Sequence, residues 1–307
     1  MTICINPKCI AFNQPMESAG RTCPNCSSDL IFQNRYRAIS TIRVNRGFSN
    51  VYEVEDRGNT KVLKVLNQIH SKNNRAIQLF RQEVDVLSHF DHPGIPKCDC
   101  YFQFKLSNGE RLNCIVMEKV NGCNLEDWVH ENKPISEKQA LEWLEEVTKI
   151  LKFIHNKNYL HRDIKPHNIM LNEDRQLVLI DFGAATHRNL LYKAYAITIY
   201  SIMLFLKKDN ITDGYTAPEQ NRSYCTPQSD IYALGKSFIF LLTGKSPQDK
   251  MMYNNQAGKI NWRKYTQGIS EEFANIIDRA IEYDIKKRYK NTQELLDDIG
   301  RLRKASG

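Results

Sequence analysis

Apolar and polar positions alternate in short runs over the first third of the chain, and then the period changes. Runs rich in β-branched and aromatic residues at 36–42, 51–55, 60–66, 97–104 and 111–117 predict strands. Between the third and fourth, NNRAIQLFRQEVDVLSHF at 73–90 puts Ile77, Phe80, Val84 and Leu87 on one side of a helix. Past NGCNLEDW at 121–128 the pattern turns helical. SEKQALEWLEEVTKILKFIHN opens with a capping box, Ser136 and Gln139, and continues as a long amphipathic helix. The expected fold class is α+β, a small five-stranded lobe with one helix at 34–117 and a larger, mostly α-helical lobe at 118–307. No repeat or low-complexity linker divides them, so they read as lobes of one unit.

Residues 1–33 fit neither pattern. Cys4 and Cys9 bracket INPK, and Cys23 and Cys26 form the C-x-x-C of CPNC. Two close thiol pairs can converge on a tetrahedral Zn²⁺, and a segment too short to bury its own core gains a staple from the metal. Structural zinc is the favoured reading; a redox dithiol at Cys23 and Cys26, or an unfolded tail, are the alternatives. Cys98, Cys100, Cys114, Cys123 and Cys225 are scattered and read as packing residues, and nine cysteines in all is an odd count. A disulfide framework is not expected.

Bulk composition narrows the picture only slightly. With 41% hydrophobic and 25% charged residues the chain is that of a globular protein, and its +8 charge is spread out, which argues against nucleic acid or a membrane surface as partner. The start, MTICINPKCI, has no leader pattern, so a cytoplasmic location is expected. The longest weakly charged apolar run, 194–206, falls short of the roughly 20 residues a bilayer span needs.

The chemistry sits in HRDIKPHN at 161–168 and in LIDFG, whose aspartate is Asp181. Phosphoryl transfer needs a carboxylate at the attacking hydroxyl, cations on the γ-phosphate and oxygen ligands for Mg²⁺. Asp163, Lys165, and the pair Asn168 with Asp181 supply those groups in that order.

On these motifs the chain, from about residue 35 onward, resembles the eukaryotic-type protein kinases. The resemblance implies a bilobal fold, ATP as cosubstrate and Mg²⁺, with Mn²⁺ as an alternative ion. Lys64 of VLK and Glu83 of RQEVDVL match the family's paired lysine and helix glutamate. Met117 matches the gatekeeper, Glu118 to Val120 the hinge, and Val51, Val62 and Met170 the apolar surface around the adenine. APE at 217–219 closes the activation segment, Asp230 matches the aspartate that holds the catalytic loop, and Arg288 matches the partner of Glu219. With CINPKC and CPNC in front, the whole chain is similar to the four-cysteine-prefixed serine/threonine kinases of cyanobacteria.

Departures from the family pattern concentrate in the phosphate loop. VNRGFSNV puts Val44, Arg46 and Ser49 in the three glycine slots and Gly47 in a spacer, and Val62 replaces the usual alanine. These changes are expected to crowd the nucleotide, while Arg46 and Ser49 offer it a cation and a hydroxyl. The full catalytic set favours an active kinase; a pseudokinase scaffold is the alternative, and a small-molecule phosphotransferase a minor one. Lys165 with Thr212 matches serine/threonine specificity, and His167, where arginine-directed kinases carry glutamate, gives no support for basic substrates. The activation segment, from Asp181 to Glu219, carries the apolar run 194–206. This run is expected either to pack on its own lobe or to serve as a docking or self-association surface. Arg162 is placed to pair with a phosphate on Thr186, Thr198 or Ser201.

Overall fold

In a computed structural model the described residues are 1–17, 20–44, 47–188, 214–220, 224–249, 252–254 and 259–305. They form two compact units, one of Met1–Asp91 with Pro96–Lys119, the other of His92–Ile95 with Val120–Gly307.

The first unit is built on an antiparallel sheet. Its strands are β3 (Ile31–Phe32), β4 (Tyr36–Arg43), β5 (Ser49–Asp56), β6 (Asn59–Leu66), β7 (Cys98–Lys105) and β8 (Arg111–Glu118), in the order β3-β4-β5-β6-β8-β7. The five expected strands are thus joined by a sixth. Ile31 and Phe32 turn back on Arg37 and Tyr36, in a turn where Gln33 and Asn34 take positive φ, so the cysteine segment runs directly into the sheet. Two residues are too few for a periodicity signal, which is why the strand is invisible in the sequence.

The two faces of this sheet have different covers. Tyr52, Val54, Leu63, Val65, Val116 and Cys114 point to one side and pack with Ile3 and Ile5 of the cysteine segment in one apolar cluster. The segment starts with β1 (Thr2–Ile3), which pairs with β2 (Pro15–Met16), and Thr2 Oγ1 donates to Ala38 O at 2.9 Å. Ser107 Oγ donates to Cys26 O at 2.5 Å, and Lys8 pairs with Glu110 at 2.6 Å, fastening the segment to the β7–β8 turn. Burying two isoleucines contributes about 3–6 kcal/mol. The segment is therefore a lid on the sheet.

The opposite face, carrying Val51, Lys64 and Ile115, receives helix α1 (Asn74–Leu87), capped by the Asn73 side chain. Its buried residues are Ala76, Leu79, Phe80, Glu83, Val86 and Leu87. Ile77 and Val84 are only half-buried, so the inward stripe lies one residue round from the expected one. Periodicity of apolar residues misses it because a charged residue, Glu83, is among those drawn inward.

The second unit is mostly helical, with α2 (Leu125–Glu131), α3 (Glu137–Asn156), α4 (Pro227–Thr243), α5 (Glu271–Ala280) and α6 (Thr292–Ala305). Short strands β9 (Gly122–Asn124), β10 (Tyr159–Leu160), β11 (Ile169–Asn172), β12 (Leu177–Leu179) and β13 (Thr186–His187) frame the loops between them. Ser136 accepts from the Gln139 N–H, the first half of the expected capping box. Helix α4 is buried along nearly all its length and is punctuated by Pro227 in its first turn and Gly244, at φ +66°, after its end. No helix among the described residues is long and apolar enough to cross a membrane.

Candidate active site

In the first unit, strand alternation decides where each phosphate-loop residue points. Leu63 and Val65 face the apolar cluster, so Lys64 between them faces the other way. There Lys64 Nζ donates to Glu83 Oε1 at 2.5 Å, with the two side chains 9% and 5% exposed. Ser49, two residues from Val51, shares the Lys64 face and is buried. Val44 does the reverse: its side chain packs against the apolar cluster. The valine in the first glycine slot is thus a half-buried residue at the margin of that cluster. Gly47 sits at φ +71° with no atom within 4 Å of where a Cβ would be, so glycine answers a backbone need rather than a lack of room. Phe48 meets Phe80 of α1 edge-on at 6.3 Å. Arg46 lies outside the described residues. Met117 is buried opposite Val62, which is half-buried, and Glu118 at the end of β8 is exposed.

In the second unit, the catalytic loop is suspended from Asp230 of α4. This carboxylate is buried and accepts the His161 N–H at 2.9 Å and the Arg162 N–H at 2.8 Å, while His155 Nε2 of α3 lies 2.9 Å away. Burial alone would raise its pKa. The His155 contact, the charges of both histidines and the Arg162 N–H outweigh that and hold it below the usual carboxylate range. His161 is itself buried: Asp163 N–H donates to its Nδ1 at 3.3 Å, and Nε2 lies 3.2 Å from Ile180 O. Burial pushes its pKa down, against the pull of Asp230, Asp163 and Asp181. The His161 ring thus joins the two loops.

Along the loop, Asn168 Nδ2 donates to Asp163 O at 2.8 Å and to Asp163 Oδ2 at 3.1 Å, and Lys165 Nζ lies 3.8 Å from Asp163 Oδ1. Ile180 N–H donates to Asn168 O at 2.9 Å, which places Asp181, at φ +64°, directly after a residue tied to Asn168. Met170 on β11 and Val120 are half-buried. Arg162 NH1 donates to Thr186 Oγ1 at 3.0 Å. Glu219 takes a bidentate contact from Arg288, at 2.7 and 2.9 Å, and a hydrogen bond from Ser229 at 2.7 Å. Thr198, Ser201, Thr212 and the apolar run 194–206 lie outside the described residues.

Two positioning groups here were not singled out from the sequence. His155 has the clearest signal, since it falls one turn after Leu151 on the inward stripe of α3. Ser229 carries none, because its role depends on what a distant segment brings to it.

The four thiols form a separate centre. The sulfurs of Cys4, Cys9, Cys23 and Cys26 all lie within 4.8 Å of one another, with Cys4 to Cys26 at 3.6 Å and Cys9 to Cys23 at 3.7 Å. These separations are too long for disulfides and close to the edge, about 3.8 Å, of a tetrahedron drawn for Zn–S bonds of about 2.3 Å. Ala11 N–H donates to Cys9 Sγ at 3.3 Å. Ser28 and Asn6 hydrogen bonds, overcoming the effect of burial, bring the Cys26 thiol down to about 6.

Comparison with known proteins agrees with this geometry. The protein kinase domain family matches residues 46–298. Serine/threonine-protein kinase B of Synechocystis sp. is 30% identical over 97% of this chain and 52% of its own length. Serine/threonine-protein kinase F of the same organism is 30% identical over 96% of this chain and 62% of its own. PknA of Nostoc sp. is 34% identical over 88% of this chain and 47% of its own. The chain thus spans about half the length of the curated relatives it matches.

Proposed function

The chain belongs to the protein kinase family, and on that premise we propose that it transfers the γ-phosphoryl group of ATP to serine or threonine hydroxyls of proteins. The observation that carries this reading is the Asp163 carboxylate, held by the Asn168 amide at 3.1 Å with the Lys165 ammonium 3.8 Å away. Asp163 accepts the proton of the acceptor hydroxyl as its oxygen attacks phosphorus, and Lys165 balances charge on the transferred group. In the first unit, Lys64, held in place by Glu83, neutralises nucleotide phosphates, while Val51, Val62 and Met117 offer apolar surface to the base. In the second, Val120 and Met170 do the same.

Asn168 and Asp181 fit Mg²⁺, or Mn²⁺ in its place, because an amide oxygen and a carboxylate are the hard ligands such ions take. With Asn168 Nδ2 committed to Asp163, its Oδ1 is the atom left to face the ion. Bound there, the ion supplies charge neutralisation to phosphate oxygens. Structural Zn²⁺ fits the four thiols by their sulfur separations and soft-donor chemistry. Free thiols at that site are in keeping with a cytoplasmic location.

A scaffold without transfer is the second reading, motivated by the three glycine slots filled by Val44, Arg46 and Ser49. Incubation with Mg²⁺ and labelled ATP, alone and with a generic Ser/Thr acceptor, separates the two. Incorporation lost in Asp163→Asn supports the kinase; none in folded wild-type protein supports the scaffold.

A further inference from the structure

The face of the first unit's sheet that carries Lys64 is laid out in rows. Across β4, β5 and β6, Ser40, Glu53 and Val62 stand opposite one another, and Arg43, Val51 and Lys64 form the next row. Directly opposed residues share a face, so all six look the same way. The register explains how a charge at position 43 comes to be there. Pairing slips between Thr41 and Arg43, which makes Ile42 the extra residue of a bulge, and a bulge re-aims the side chain beside it. Val44, next along, packs against the apolar cluster on the other side.

Three of the six are charged, and two of those charges are answered. Glu53 accepts from Lys119 at 2.7 Å and from Ser40 at 2.9 Å, and Lys64 donates to Glu83 at 2.5 Å. Arg43 differs. It is half-buried, its Nε is shielded from water, and among the described residues it has neither a hydrogen-bond acceptor nor a carboxylate. With strands about 4.8 Å apart, it stands roughly 10 Å from Lys64, on the far side of Val51. Phosphates gathered at Lys64 are therefore out of its place, whereas a base lying on Val51 is next to it. A guanidinium accepts the flat face of a base through its own plane, a contact that needs no acceptor for Nε.

Resting on the nucleotide-binding reading, we propose that Arg43 stacks on the purine base and fixes affinity through the nucleoside. The grip on the nucleotide thus moves from the three glycine slots, filled by Val44, Arg46 and Ser49, to the base.

The test is displacement of a fluorescent ATP analogue by three competitors: adenosine, a non-hydrolysable ATP analogue and inorganic tripolyphosphate, which carries the phosphates without the base. Arg43→Leu should weaken adenosine and the ATP analogue by the same factor, about fivefold, the scale of a cation–π contact at a partly exposed site, and leave tripolyphosphate unchanged. Arg43→Lys should weaken both nucleosides as well, because an ammonium has no plane to stack, and it serves as the reading variant if the leucine protein loses its melting transition. Unchanged adenosine binding in the variants, or tripolyphosphate weakened as much as the ATP analogue, would overturn the proposal. The expected displacement pattern in a protein that transfers no phosphate would uphold the base contact and defeat the kinase reading instead. Transfer whose KM for ATP is indifferent to Arg43→Leu would do the opposite.

Discussion

The Lys64 ammonium and the Glu83 carboxylate meet at 2.5 Å where strand β6 faces helix α1, both of them withdrawn from water. A pair so placed contributes less to stability than to position, because desolvating both charges offsets most of their attraction. Breaking it by halves should therefore be costly. Glu83→Leu or Lys64→Met alone is expected to lose about 3–5 kcal/mol in urea denaturation, while the double substitution recovers most of that loss. The double variant should still bind nucleotide poorly. Equal stability of single and double variants would show that the pair is not buried as described.

The cysteine segment is expected to be inseparable from the sheet it covers. Elemental analysis should find about one zinc per chain in a four-thiolate site, and Cys23→Ser with Cys26→Ser should release it. Since Ile3 and Ile5 sit in the same cluster as Leu63 and Val116, loss of the metal should lower the melting temperature of the first unit rather than of a detached module. Ile5→Ala, which leaves all thiols in place, should cost about 2–5 kcal/mol. An unchanged melting profile after chelation would contradict both the staple and the lid.

For the phosphate loop the structure reverses the simplest engineering idea. Val44→Gly restores a family glycine, yet it should not tighten ATP binding, because the side chain it removes packs in the apolar cluster. It should instead lose about 1 kcal/mol of stability. Gly47→Ala should lose about 1–2 kcal/mol from its positive φ alone, since nothing crowds the site. Isothermal titration with an ATP analogue, paired with urea denaturation, measures both halves. Tighter binding by Val44→Gly would place its side chain over the nucleotide after all.

His161 gives the pH dependence a definite sign. Its pKa is lowered in the folded protein by burial, so below the unfolded value of about 6.5 the unfolded chain binds the extra proton first. The stability it contributes is present above that pH and is lost as pH falls from about 6.5 toward the folded value. His70 and His92 are lowered in the same direction, so His161→Gln should flatten the fall in stability between pH 7.5 and 6 without abolishing it. A steeper fall in the variant would mean that the folded protein carries His161 protonated.

How much of this could be read from the chain depended on the length of each signal. Strands with several alternating residues, such as KVLKVL, and the long α3 stripe are legible because each position repeats the same statement. HRDIKPHN is legible because its spacing alone brings Asp163, Lys165 and Asn168 onto one loop. The sixth strand and the Ile3 and Ile5 lid are not, since two-residue contacts carry no period. The packing of Val44 is not legible for a related reason: its slot in a motif speaks of phosphates, whereas its contact with the apolar cluster depends on residues distant in sequence. Arg43 could not be placed from sequence, because only the bulge at Ile42 sets it opposite Val51.

The central claim is that Asp163, positioned by Asn168 and by a loop hung from Asp230, serves as the base for phosphoryl transfer to protein hydroxyls. The most direct test is labelled-phosphate incorporation with Mg²⁺ and ATP, followed by phosphoamino-acid analysis, for wild-type protein and Asp163→Asn side by side. The account predicts phosphoserine or phosphothreonine in the wild type and a loss of at least about 10²-fold in Asp163→Asn, with the folded melting profile retained. Equal incorporation by the two proteins, or none by correctly folded, metal-replete wild type, would contradict it.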